Sequence, residues 1–97
     1  MGSFEWDDRK SRSNLRKHGI DFETASRAFD DPRRVTFLER IRDGEERWHL
    51  IALVPNTMLM LVVSHTYPDQ GDENLVRIIS ARRASKHEEK IYDEENA

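Results

Sequence analysis

The chain has 97 residues, with 16 lysines and arginines against 19 aspartates and glutamates, a formal net charge of −3 and no cysteine. This length favours one domain spanning residues 1–97, and the lack of cysteine excludes disulfides and thiolate metal ligands. No run approaches the roughly 18 apolar residues of a membrane span, and the N-terminus is charged by Glu5, so we expect no signal peptide, no membrane partner and a cytoplasmic protein.

The N-terminal third is predicted to hold two helices. Residues 4–7 alternate apolar with acidic side chains, as either a short edge strand or an apolar anchor would. The very polar segment 8–18 contains one plainly apolar residue, Leu15, which predicts a surface helix with a thin contact stripe. Gly19 suits the left-handed residue that ends such a helix. Apolar residues at three- and four-residue spacing predict a second helix at about 22–30.

A sheet is predicted for the rest of the chain. Residues 35–42 lead through Asp43-Gly44, a strong two-residue hairpin signal, into a return strand at 46–53. The nearly continuous apolar run 58–65 is typical of a central strand covered on both faces. A polar loop separates it from a fourth strand at 75–81, and the short connections favour an antiparallel meander.

The C-terminus is predicted to be helical again. Ser85 and Glu88 match a capping box, in which each side chain satisfies a backbone N–H group, and a helix at about 86–94 should follow. The expected fold class is therefore α+β, with two N-terminal helices, a four-stranded mainly antiparallel sheet and a short C-terminal helix.

Two residues on the last two strands are the main candidates for chemistry. His65 ends the central strand, either as a proton donor or acceptor near neutral pH or as a structural histidine bonded to a loop. Arg77 lies in an apolar strand, where it requires a carboxylate partner or a polar cleft. As a phosphate clamp it would stabilise a pentavalent transition state. The strand register decides whether the two share a face, and the sequence does not give it.

Other charged residues are candidates for contacts with phosphate. They are Lys17, Glu46, Arg47, Arg82, Arg83 and Lys86. Arg82, Arg83 and Lys86 lie near a predicted helix N-terminus, which favours anions, although a solvated basic turn is an equally good interpretation. Glu46 and Arg47 are either an ordinary charge pair or a base and a clamp. Lys17 lies at the C-terminal end of the first predicted helix, where the helix macrodipole alone favours a cation.

These side chains suit one reaction in particular. The four histidines lack metal-binding spacing, and there is no glycine-rich phosphate loop, so neither a metal nor a cofactor is expected. A metal-free ribonuclease needs a base for the 2′-hydroxyl, cations for the phosphorane and an acid for the leaving oxygen. The composition is compatible with that chemistry without establishing it.

A longer pattern runs through almost the whole chain. It comprises Phe4–Asp7, Asn14–Gly19, Phe22, Phe29–Pro32, Glu45–Arg47, Leu61–Val63, His65-Thr66, Arg77–Arg82, Ala84, Glu88 and Tyr92. In this order, with residues 17–19 and 77–82 as its most specific parts, the pattern resembles the BrnT family, the toxins of BrnT–BrnA type II toxin–antitoxin systems.

The resemblance implies a RelE-like fold and an RNA-cleaving toxin that arrests translation. It implies a BrnA-type antitoxin as partner, whose DNA-binding domain lets the complex repress its own operon, so that operator DNA is bound only through the antitoxin. A dimer or a heterotetramer with the antitoxin is left open. The active-site candidates it implies are His65, Arg77, Arg82 and Glu46, with Arg47, Arg83, Lys86 and Lys17 as RNA contacts.

One segment departs from the family. The family often continues from the His-Thr pair through an arginine into the last strand, whereas residues 67–74 are acidic here and contain no arginine. The family arginine is a candidate phosphate contact, and this chain lacks it. Its absence and the net negative charge together favour a second hypothesis, a non-catalytic nucleic-acid- or partner-binding module. A third hypothesis is a structural subunit whose exposed apolar edge pairs with a second chain.

Overall fold

The computed structural model describes residues 2–69 and 71–97. Its elements are β1 Ser3–Glu5, α1 Asp8–His18, α2 Phe22–Arg27 continued by a 3₁₀ turn Ala28–Asp30, β2 Val35–Arg42, β3 Glu45–Leu53, β4 Met60–Thr66, β5 Leu75–Arg83 and α3 Lys86–Glu95. The strands form one sheet in the order β1-β5-β4-β3-β2. β1 runs parallel to β5, and the other neighbours are antiparallel. No helix in the described part of the chain has the length and apolar character needed to cross a membrane.

The α+β class and the helices are confirmed, but the prediction of four mainly antiparallel strands is wrong. Residues 3–5 form a fifth strand, in which Phe4 lies opposite Val76 and Glu5 opposite Arg77. The Phe4 ring packs against the Phe29 ring with centroids 5.1 Å apart. The segment is therefore an edge strand and an apolar anchor at once, and three residues are too few for their periodicity to distinguish the two.

Helix α1 is attached to the sheet by an amide rather than by its apolar residue. Leu15 remains 48% exposed, whereas Asn14 is buried. The Asn14 Nδ2 group donates to the carbonyls of Ile20 at 2.7 Å and Ala81 at 2.8 Å, and its Oδ1 accepts from the Ala81 N–H. The predicted apolar stripe at Leu15 is thus wrong, because a residue one position earlier carries the contact.

Two apolar cores lie on opposite faces of the sheet. One face packs against α1 and α2 through Leu50, Ala52, Leu61, Val63, Val76, Ile78, Phe22, Ala25 and Ala28. The other packs against α3 through Ile51, Val62 and Tyr92. The prediction that the central strand is covered on both faces is confirmed for the first half of β4. Over its second half, the short α3 leaves one face of the sheet uncovered.

A β-bulge changes which residues of β5 share a face. Ser64 pairs with Ser80, but the next residue of β4, His65, pairs with Ile78, so Ile79 is an extra residue. Because of this one-residue insertion, Arg77 and Ser80 project to the same face although their spacing is odd. The bulge therefore determines which β5 side chains lie on the part of the sheet that α3 leaves uncovered.

A buried carboxylate fixes α3 on the sheet. Tyr92 donates its hydroxyl proton to Asp31 Oδ2 at 2.7 Å, and the same oxygen accepts the Leu53 N–H at 2.9 Å. Burial and the Asp31 carboxylate raise the pKa of Tyr92 to about 12. The position of α3 therefore depends on a hydrogen-bonded polar pair as well as on apolar contacts.

Candidate polar site on the open sheet face

His65 is a core residue on the face that α1 and α2 cover. It is fully buried, with the rings of Phe29 and Tyr67 at centroid distances of 4.9 and 5.3 Å. Burial lowers the pKa of His65 to about 4, so the ring is neutral at pH 7. Its Nδ1 lies 3.1 Å from the Val63 carbonyl and its Nε2 lies 3.2 Å from the Tyr67 hydroxyl. In the tautomer these partners favour, Nδ1–H donates to the carbonyl and the phenol donates to Nε2.

Arg77 projects to the opposite side of the sheet from His65. Its partner across the β4–β5 ladder is Thr66, whose side chain points away from that of His65 because neighbouring residues of a strand alternate between faces. The structure therefore does not bring together the two residues that the sequence singled out.

A different set of side chains gathers on the open half of the α3 face. We call it the polar face; it comprises Arg47, His49, Ser64, Thr66, Arg77, Ser80 and Arg82. His49, Ser64 and Ser80 form a row across β3, β4 and β5, each directly opposite the next. Residues paired in this way lie about 5 Å apart. The row thus places an imidazole and two hydroxyls side by side.

Arg77 is oriented by a carboxylate without being enclosed by it. Its Nε and Nη2 both lie 2.5 Å from one oxygen of Glu5. That geometry leaves Nη1 available, and the Arg77 side chain is 46% exposed. The predicted requirement for a carboxylate partner is met, and Arg77 keeps part of its donor fork for a ligand.

Arg82 is bound more completely. Its Nη1 and Nη2 donate to the two oxygens of Glu88 at 2.7 and 2.8 Å, and Glu88 also accepts the Ser85 N–H at 2.9 Å. Arg82 holds the pKa of Glu88 at about 2. The pair stays ionised near neutral pH and links β5 to the first turn of α3, so Arg82 has a clear structural role.

Arg47 and His49 complete the polar face from β3. In the described part of the chain no carboxylate forms an ion pair with Arg47. His49 is half-buried against the Phe37 ring, with centroids 5.6 Å apart, and burial lowers the pKa of His49. His49 was not a sequence candidate, although alternation along β3 already grouped it with Arg47.

Thr66 contributes a buried hydroxyl to the same region. The residue is almost completely buried, and among the described residues its Oγ1 finds no hydrogen-bond partner. An unpaired buried hydroxyl costs free energy and is an uncommon feature of native proteins. Because the hydroxyl is closed to solvent, a ligand on the open face does not reach it.

The remaining sequence candidates are distributed elsewhere. Glu46 lies opposite Ile41 on the α1/α2 side of the sheet, and Arg83 lies opposite Leu61 on that side as well. Lys17 is exposed in the last turn of α1, and Lys86 is the exposed first residue of α3. Of the eight sequence candidates, the polar face thus unites three, Arg47, Arg77 and Arg82.

The comparisons with known proteins give one match. A family model described as ribonuclease toxin, BrnT, of type II toxin–antitoxin system matches residues 6–88. A comparison with curated proteins finds no match. The matched segment contains all seven residues of the polar face. Within residues 2–69 and 71–97, no three histidine, aspartate or glutamate side chains are grouped as a metal site would require.

Proposed function

Since the chain belongs to the BrnT family of ribonuclease toxins of type II toxin–antitoxin systems, we propose that it is a metal-independent endoribonuclease with its active site on the polar face. In this proposal it cleaves RNA in the cytoplasm and thereby inhibits translation. A BrnA-type antitoxin neutralises it, and the complex represses its own operon. The observation that carries the choice of site is that Arg47, Arg77 and His49 share one open face.

Arg47 and Arg77 supply the positive charge for the scissile phosphate. Arg47 has no carboxylate partner in the described structure, and Arg77 retains Nη1 beside its contact with Glu5. Guanidinium groups present planar donors that match phosphate oxygens. Their charge stabilises the negative phosphorane more strongly than the ground state, which is how a fixed cation lowers the barrier.

His49 is our choice for proton transfer. The lowered pKa of His49 follows chiefly from burial, so the imidazole is neutral at pH 7 and can accept the 2′-hydroxyl proton. The 2′-oxygen then bonds to phosphorus, the P–O5′ bond breaks, and the leaving 5′-oxygen takes its proton from water. The two serine hydroxyls in its row are available to orient the ribose or to relay the proton. In this scheme His65 is a positioning residue, since its bond to Tyr67 fixes the start of the loop that follows β4.

The test is RNA cleavage by the purified chain in the presence of EDTA. We expect Arg77→Ala to lower the rate by about 10²–10³-fold, the usual effect of removing one transition-state donor. His49→Gln should lower it strongly as well. Arg83→Ala is the matched control, because it removes an exposed arginine from the other side of the sheet. Full activity of both polar-face variants, or loss of activity in the Arg83 variant alone, would contradict the assignment.

The alternative is binding without cleavage. One observation favours it: Arg77 and Arg82 each carry a carboxylate partner, which reduces the net positive charge of the polar face. In that case the chain would bind RNA with an affinity that falls steeply with salt concentration and would release no cleavage products. Product analysis after prolonged incubation distinguishes the two functions.

A further inference from the structure

An acidic cleft lies on the opposite side of the sheet from the polar face. It encloses about 920 Å³ between the 3₁₀ turn, the β2–β3 hairpin and loop residues 71–74. Its lining includes the aromatic residues Trp48 and Tyr67 and several charged side chains. Clefts of this size with an aromatic lining and a few polar groups are the usual form of a binding site.

The charge of the cleft selects a cation. Four carboxylates, those of Asp30, Glu46, Asp72 and Glu73, are opposed by the single guanidinium of Arg34. This balance disfavours RNA phosphate by simple repulsion. The acidic loop after β4, which departs from the family pattern, thus forms part of a surface that is predominantly negative.

The cleft continues as a groove along the hairpin. A neighbouring depression of about 270 Å³ shares Glu46, Trp48 and Tyr67 with it and adds Asp43 and Glu45. The added residues are again acidic. An occupant that fills both parts is elongated, which suits an extended chain better than a single small cation.

Trp48 contributes its aromatic ring, and not its N–H group, to the groove. Its Nε1–H is buried, and among the described residues it has no partner. The indole nitrogen is a donor only, and because it is closed to solvent a ligand in the groove does not reach it. The Trp48 and Tyr67 rings, 6.0 Å apart, provide aromatic faces that attract arginine or lysine.

The edge of the groove is apolar. Leu38 lies directly opposite Trp48 and is 41% exposed, and Ile41 lies opposite Glu46 and is 61% exposed. The bulge between Leu38 and Arg40 places both apolar side chains on the cleft side of β2. The groove therefore combines carboxylates, aromatic rings and an apolar rim in one strip.

We propose that this acidic groove binds an extended polypeptide segment in which basic residues alternate with apolar ones, and that the antitoxin supplies the segment. The basic side chains contact the carboxylates and the aromatic faces of Trp48 and Tyr67, and the apolar side chains cover Leu38 and Ile41. Only the identity of the supplier rests on the proposed function; the chemistry of the groove does not depend on cleavage of RNA.

The probe is a fluorescein-labelled hexapeptide of alternating arginine and leucine, with a glutamate–leucine hexapeptide as its charge-reversed counterpart. Fluorescence anisotropy with the full chain should show binding of the basic peptide alone. In a Trp6→Phe background, Trp48 is the single tryptophan, and its emission should change on binding.

A pair of charge-matched variants locates the peptide. Glu46→Gln with Glu73→Gln should weaken binding at least tenfold. Glu94→Gln with Glu95→Gln, at the far end of α3, removes the same charge and should change the affinity less than twofold. Equal loss in both variants, undiminished binding in the groove variant, or no binding by the parent chain would each overturn the proposal.

The measurement separates this proposal from the nuclease assignment. It is made without RNA, and Arg77→Ala should bind the peptide as the parent does, since Arg77 lies on the other face. A chain that binds the peptide but leaves RNA intact refutes the nuclease alone. A chain that cleaves RNA but does not bind the peptide refutes the groove alone.

Discussion

Replacing the buried histidine, His65→Gln, should remove a specific pH dependence from the stability of the protein. The His65 ring is enclosed by Phe29, Tyr67 and the Val63 carbonyl and has no carboxylate among its hydrogen-bond partners. Charging the ring would require desolvation without compensation, which is why burial lowers its pKa from 6.5 to about 4. Glutamine keeps hydrogen-bonding groups at this position and does not titrate.

The magnitude follows from the difference between the folded and unfolded pKa values. Because the folded pKa is the lower one, the unfolded chain binds the proton more readily between pH 6.5 and pH 4. The contribution to stability is complete above pH 6.5 and is lost as the pH falls toward 4. We expect the free energy of unfolding to drop by about 2 kcal/mol between pH 7 and pH 5 and by about 3 kcal/mol at pH 4.

The assay is urea denaturation at half-unit pH steps, compared between the parent chain and the variant. The difference between the two curves should carry this slope, and two-dimensional NMR should show that His65 titrates near pH 4. His49→Gln is the matched comparison and should have a smaller effect, since that ring is only half-buried. A pH-independent difference between the parent and His65→Gln would refute the reasoning, and a titration of His65 near 6.5 would restore it as a candidate acid–base group.

Two further predictions concern the polar ties of the scaffold. Asn14→Ala leaves the backbone groups of Ala81 and Ile20 unpaired in the interior and should cost about 3 kcal/mol of unfolding free energy. The control Leu15→Ala should cost less than about 0.5 kcal/mol, and equal effects of the two variants in chemical denaturation would disprove the role of the Asn14 amide. Glu88→Gln should remove stability that the parent holds above pH 4.5 and loses as the pH falls toward 2, because its arginine partner depresses the folded pKa, and superimposable acid-unfolding curves would count against the pair.

Local signals in the sequence identified the ends of most elements correctly. Gly19 ends α1 with a φ of 74°, and Asp43 and Gly44 form the hairpin turn with φ values of 52° and 80°. The Ser85–Glu88 capping box starts α3. Each of these signals involves residues within four positions of one another, so the physical chemistry that fixes them is complete in a short stretch of sequence.

The pairing of distant segments was less accessible. β1 forms only because β5 offers it a free edge more than 70 residues later, and Asn14 is buried because the backbone at Ala81 needs its amide. Neither requirement is expressed near residues 3–5 or 14. The composition of an element does not reveal a contact whose other half lies far along the chain.

The candidate site divides in the same way. The sequence by itself determined the chemistry, namely arginines on β2, β3 and β5, histidines at strand positions and no metal-binding pattern. The tertiary structure decided which of them meet: the bulge at Ile79 gathers Arg77 with Ser80 and Arg82, and the register turns His65 into the core while leaving His49 on the open face. Side chains alternate with a period of two along a strand, so a single inserted residue reverses the faces beyond it. The position of the inserted residue is set by hydrogen bonds between strands. It therefore cannot be predicted from the sequence of either strand alone.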